Sequence, residues 1–151
     1  MSFPFDYHTH THFSCDSQAT MEQMCQAAMA AGLPEIGFTE HFDNVPQDEG
    51  CGYFRLEPWA AALEACRRQY AGRLTVRAGI EIGEPHVYAP EVKALLAQYP
   101  FDYVIGSLHW VGAAFTFATD YFQRPADEAY GAYFEELEKM TRLGDFDILG
   151  H

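Results

Sequence analysis

The chain has 151 residues, with 9 Lys and Arg against 22 Asp and Glu, a formal charge of −13, and 48% hydrophobic residues. This composition is globular; it excludes a disordered tail, a collagen-like chain and a coiled coil, and the length suits one domain with a real core. The acidity speaks against a nucleic-acid-binding surface and against an anionic membrane surface, both of which need clustered Lys and Arg, and no apolar run approaches the roughly 20 residues of a bilayer span.

The opening MSFPFDYHTH lacks a basic start followed by an apolar stretch, so no signal peptide is read and a cytoplasmic location with reduced thiols is expected. The first apolar run is Phe5 to His8, the least distinct of five. Thr20 to Ala31 reads as a helix that starts at a capping residue and stops before Gly32 and Pro34. Glu35 to His41 reads as a second strand. Pro58 to Tyr70 reads as a helix with proline at its first position. Leu74 to Ile82 is a third strand, Pro90 to Gln98 a third helix, Phe101 to His109 a fourth strand, Ala126 to Leu143 a long helix, and Phe146 to His151 a fifth strand. Short, continuously apolar strands alternating with helices predict βα units on a parallel sheet. Two connections, Phe42 to Glu57 and Trp110 to Pro125, are long enough to be functional loops.

The four cysteines, Cys15, Cys25, Cys51 and Cys66, form no C-x-x-C pair, which argues against a zinc ribbon or a redox motif. Cys25 and Cys66 fall on helix faces and read as small core residues; Cys15, beside Asp16, is also read as a small hydrophobe rather than a reactive group.

The strand ends carry the chemistry. His8, His41, Glu81, His109 and His151 each stand at or next to the end of a run, where parallel α/β folds bind their ligands. His10, His12 and Asp16 follow the first run. A lone histidine is more often a hydrogen-bonded core residue, and one H-x-H pair is weak evidence. Several strand ends delivering imidazole or carboxylate to one rim is stronger, because such groups buried unpaired are costly and a cation would compensate them. Imidazole with carboxylate suits Zn²⁺, Mn²⁺ or Fe²⁺. His8 and His10 alternate along an extended chain and so share a face. His12 reads as a bystander and His86 as a surface-loop residue.

The segments DYHTHTHFSCD, GFTEHF, RAGIEIG, DYVIGSLHWV and FDILGH, in this order, resemble successive motifs of the PHP (polymerase and histidinol phosphatase) family, and YVIGSLH with TEH resembles its histidinol-phosphatase branch. The resemblance covers essentially the whole chain. It implies a distorted (β/α)7 barrel, of which residues 1–151 supply about five βα units with a parallel sheet. It implies a phosphoesterase that hydrolyses a small phosphate monoester, L-histidinol phosphate in histidine biosynthesis, by a metal-bridging hydroxide. Two to three divalent ions (Zn, Mn or Fe) are implied: His8 and His10 with Glu81 on the first, Glu81, His109 and His151 on the second, Asp16 and His41 on the third. Glu81, His41 and His109 are the implied catalytic residues. Glu40 is a candidate for binding a substrate amine, or else a carboxylate orienting an imidazole.

The family supplies an Asp-x-His pair beyond its last strand, and FDILGH ends at His151. The expectation is therefore a PHP domain incomplete at its C-terminus, with poor turnover or none by these 151 residues alone. Rival readings are a nuclease within the family, which would want a basic groove; a deaminase-like amidohydrolase, disfavoured because Lys93 and Lys139 both lie on predicted helices; and a non-catalytic metal-binding remnant.

Overall fold

A computed structural model describes residues 5–151. Its elements follow in chain order: β1 (Phe5–Thr9), α1 (Met21–Ala30), β2 (Glu35–Phe38), β3 (His41–Phe42), α2 (Leu56–Gln69), β4 (Thr75–Gly83), α3 (Ala89–Leu96), β5 (Tyr103–Ser107), β6 (Trp110–Val111), β7 (Ala114–Phe115), α4 (Ala126–Leu143) and β8 (Ile148–Leu149). The main sheet is parallel throughout, in the order β1-β2-β4-β5-β8, with β3 also paired to β4. It is an open portion of a parallel (β/α) barrel wall, as expected.

Helices α1, α2 and α3 cover one face. Met21, Cys25 and Ala28 of α1, Trp59, Leu63 and Cys66 of α2, and Val92 and Leu95 of α3 pack on Ile36, Phe38, Val76, Ala78, Ile80, Ile82 and Val104 of the strands. Burying this many large apolar side chains, each contributing roughly 1.5–3 kcal/mol, is what holds the layers together. Both Cys25 and Cys66 sit in this core, as expected from their helix positions. Thr20 caps α1 through a reciprocal pair: its hydroxyl accepts from Gln23 N–H, and the Gln23 side chain accepts from Thr20 N–H.

Most element ends shift by a few residues from expectation, β5 and β8 being shorter than the runs that predicted them, and three departures have identifiable causes. The run Glu35 to His41 divides into β2 and β3, because the chain pairs with β1 only up to Phe38 and with β4 again from His41. The break falls at Thr39 and Glu40, where the Glu40 side chain turns into a buried turn of the preceding loop. Helix α2 begins at Leu56, so Pro58 is third in the helix rather than first; the first-turn N–H groups have no intrahelical acceptor, and proline costs nothing there. The stretch from Trp110 to Pro125 folds into the β6–β7 hairpin, turning at Gly112 with a φ of +61°, and a 3-10 turn at Tyr121–Gln123.

Candidate metal centre

At the C-terminal ends of the strands, Glu81 is the hub. It lies late in β4, fully buried, and five imidazole nitrogens surround its two carboxylate oxygens. The separations are 3.3 Å for His8 Nε2, 3.1 Å for His10 Nε2, 3.2 Å for His41 Nδ1, and 3.4 Å for both His109 Nε2 and His151 Nε2. Neither Glu81 oxygen makes a well-directed hydrogen bond, nor does His109 Nε2. Asp16 adds a second carboxylate, 3.0 Å from His10 Nδ1 and 3.5 Å from His41 Nε2.

The positions follow from local structure. His8 and His10, two apart at the end of β1, both reach Glu81, as the alternation of an extended chain requires. His41 opens β3 directly opposite Glu81 in the parallel register. His109 follows β5, and His151 follows β8, the neighbour of β5; the carbonyl of His151 accepts from Leu108 N–H. All seven residues expected as ligands therefore line one cavity of about 620 Å³.

Electrostatics are those of a site that wants cations. Burial alone would raise the Glu81 pKa, yet the surrounding imidazoles hold it far below the usual carboxylate range. Burial would lower His10, His41 and His109, but the facing carboxylates outweigh it and raise all three, His109 to about 10. The donor set fits a divalent metal. Ligand atoms bound tetrahedrally at ~2.0–2.1 Å stand about 3.3 Å apart, which is the spacing seen around Glu81 and too long for strong charge-assisted hydrogen bonds. Three groups are compact enough to share an ion: His8, His10 and Glu81; His10, Asp16 and His41; and His41, Glu81 and His109. Relative to the expected partition, His10 joins the Asp16–His41 group and His41 joins the Glu81–His109 group; His151 stands beside the latter, 3.4 Å from Glu81.

Glu40 lies behind this site rather than in it. Its carboxylate is fully buried and accepts from Thr11 N–H, the Thr11 hydroxyl and the Ser14 hydroxyl; Ser14 Oγ in turn accepts from His41 N–H. It does not line the cavity, so the structure places it where it braces the His41 backbone and not where a substrate amine would reach it. His12 is exposed and outside the cluster. His86 departs from the surface-loop reading: its side chain is only 4% exposed, because Nε2 meets Glu136 Oε1 of α4 at 2.8 Å. Cys15 lines the cavity, but burial with nearby Asp16, Asp43 and Asp48 pushes its thiol up to about 11, so it stays protonated at neutral pH.

Three features go beyond what was read from the sequence, the last by giving the two long connections a place at the site. Asp43 is 3% exposed and meets the Nδ1 atoms of both His109 and His41; the H-x-D spacing with His41 was the available signal, since such residues share a face of a strand. Glu84, at a φ of +47°, accepts from His109 N–H and Trp110 N–H and so fixes the turn after β5; burial pushes its carboxyl up to about 7. Finally, both long loops wall the cavity, with Asp43, Gln47, Asp48 and Glu49 from one and Trp110, Phe115 and Phe117 from the other, and Trp110 Nε1–H donates to Asp48 across them at 2.6 Å.

The chain belongs to the PHP domain family, whose sequence profile matches residues 6–151. Within that class it is similar to a protein of Deinococcus radiodurans described as a probable histidinol-phosphatase, at 33% identity, and to the histidinol-phosphatase of Lactococcus lactis, at 28%. Each match takes in 97% of this chain but 59% and 55% of the relative, so the chain spans less than two thirds of their length. A crystal structure of histidinol phosphate phosphatase from Lactococcus lactis, complexed with zinc, L-histidinol and phosphate, superimposes with a TM-score of 0.87 at 28% identity, over 97% of this chain and 57% of that one.

Proposed function

We propose that this chain carries a divalent-metal centre, zinc in the first instance, of a phosphate-monoester hydrolase acting on L-histidinol phosphate. The observation that carries the reading is the Glu81 hub, a buried carboxylate that four imidazole Nε2 atoms face at metal-ligand spacing, with His41 Nδ1 3.2 Å away. His8, His10, Asp16, His41, Glu81, His109 and His151 would hold two to three ions. Cations bound there supply Lewis-acid polarisation of phosphoryl oxygens and activate water near neutral pH.

The remaining work falls to the chain's own side chains. Glu81 holds the ligand sets together, since its two oxygens face different histidines. No Lys or Arg lines the cavity among the described residues, so a phosphate would meet positive charge from the cations and not from the protein. Phe115, Phe117 and Trp110 form an apolar wall, and Asp48 and Glu49 stand with them at the cavity. Aromatic faces and carboxylates together suit an imidazole ring and an ammonium group, which is the organic part of histidinol. The Lactococcus relative bound to histidinol and phosphate supports the same substrate.

The test measures phosphate release from histidinol phosphate and from generic phosphate esters, for the zinc-loaded wild type and Glu81→Ala. Release from histidinol phosphate, however slow, should exceed release from the generic esters, and should disappear in Glu81→Ala. Equal rates on all esters would overturn the substrate assignment; release unaffected by Glu81→Ala would overturn the site.

A further inference from the structure

Asp43 is a buried carboxylate, 3% exposed, that lines the cluster's cavity and that no ligand group contains. Its Oδ1 is hydrogen-bonded to His109 Nδ1 at 2.9 Å, and its Oδ2 lies 3.3 Å from His41 Nδ1, an ion-pair contact without hydrogen-bond geometry in the metal-free chain. The Nε2 atoms of those rings point the other way, His109 toward Glu81 and His41 toward Asp16. The backbone is shaped around this carboxylate. A Cβ on Gly83 would stand 2.3 Å from Asp43 Oδ1, and one on Gly50 would stand 2.6 Å from Oδ2. Two glycines from different segments thus leave the space that the carboxylate occupies.

We propose that Asp43 is a shared positioning residue, a single carboxylate that fixes the tautomer and aim of both His41 and His109 so that each presents a bare Nε2 to a metal. The inference rests on the reading of the cluster as a metal centre. A neutral imidazole carries one proton. A carboxylate has only acceptors, so facing two Nδ1 atoms it draws the proton to Nδ1 on both rings and leaves both Nε2 lone pairs free. His41 Nδ1 also lies 3.2 Å from Glu81 Oε2; when cations occupy the Glu81 oxygens, Asp43 is the acceptor that remains. His41 belongs to two of the ligand groups and His109 to one of these, so the carboxylate touches both groups through the two rings.

Asparagine separates this role from space filling. Asp43→Asn keeps the shape but offers one acceptor and one donor. The ring that faces the amide NH₂ must carry its proton on Nε2, where it blocks the metal. Zinc titration of the purified chain should show one equivalent weakened about 10–100-fold in Asp43→Asn, and a wider loss in Asp43→Ala. Unfolding of the metal-free chains by circular dichroism reports separately on structure. Ring ¹⁵N NMR of the zinc-loaded wild type should show His41 and His109 protonated at Nδ1 and metal-bound at Nε2. This measurement decides the matter even where a variant does not fold. Wild-type zinc affinity in both variants, or Nδ1-bound metal on either ring, would overturn the role of Asp43. A loss of metal-free stability with an unchanged zinc isotherm would overturn it too, leaving a structural residue only. A wild type that binds no zinc would instead overturn the metal reading itself, and the inference with it.

Discussion

Glu40 and Glu81 are both fully buried carboxylates, yet their surroundings assign them opposite work. Glu81 faces imidazoles at distances suited to a shared cation; Glu40 accepts three hydrogen bonds from Thr11 and Ser14 and is finished. Glu40→Gln exchanges an acceptor for a donor inside that turn. It should lower the stability of the metal-free chain by about 1–3 kcal/mol in urea titration, with the His41 backbone loosened through Ser14; unchanged stability would show that the bonds are replaceable. The cysteines offer a second check at this scale. Cys51 is exposed, whereas Cys25 is 0% exposed and its thiol is pushed up to about 12 by burial and by Cys66. Alkylation of the native chain at neutral pH should label Cys51 and spare Cys25, as read by mass spectrometry. His8, His41, Glu81, His109 and His151 were legible in the sequence because each stands at or next to the end of a strand run, and His10 because it alternates with His8. Asp43 was not singled out, since a carboxylate two residues past a ligand has no meaning until the fold shows which rings it faces.

At the scale of elements, the concave side of the sheet is organised by one aromatic ring. Tyr103 of β5 lies across β4 and β2, where Cβ atoms on Gly79 and Gly37 would fall 2.6 Å from its Cζ and 2.0 Å from its hydroxyl oxygen, and that hydroxyl donates to the Tyr7 carbonyl of β1 at 2.7 Å. A single side chain thus ties four strands together. Gly79→Ala should destabilise the chain by about 1–3 kcal/mol through overpacking, measured by thermal unfolding of the metal-free protein; a neutral effect would mean that the ring can move. The alternation of helix and strand, and most helix boundaries, could be read from caps, glycines and prolines. The division of β2 from β3, the β6–β7 hairpin and the anchoring of α4 through His86 and Glu136 could not, because each depends on contacts between residues far apart in sequence.

At the scale of the molecule, no described helix is long and apolar enough to cross a membrane. The sheet runs from β1 at one edge to β8 at the other, and β8 is short, with Ile148 and Leu149 exposed. Helix α4 also exposes Tyr130 and Phe134. Among the described residues the β8 edge is apolar and unpaired, and such an edge is a template for association, so light scattering of residues 1–151 alone should show an apparent mass that rises with concentration, reduced by Leu149→Lys; a constant monomeric mass would contradict this. The parallel sheet of βα units was accessible before the structure, from the alternation of strand and helix runs. The centre itself was accessible only as a list of residues, because whether their side chains converge depends on register and curvature. That convergence is the central claim, and the metal content of the purified chain tests it most directly. Elemental analysis after equilibration with zinc should find about two to three ions per wild-type chain, matching the three ligand groups, and a marked loss in Glu81→Ala. An equal metal load in the two proteins would contradict the account.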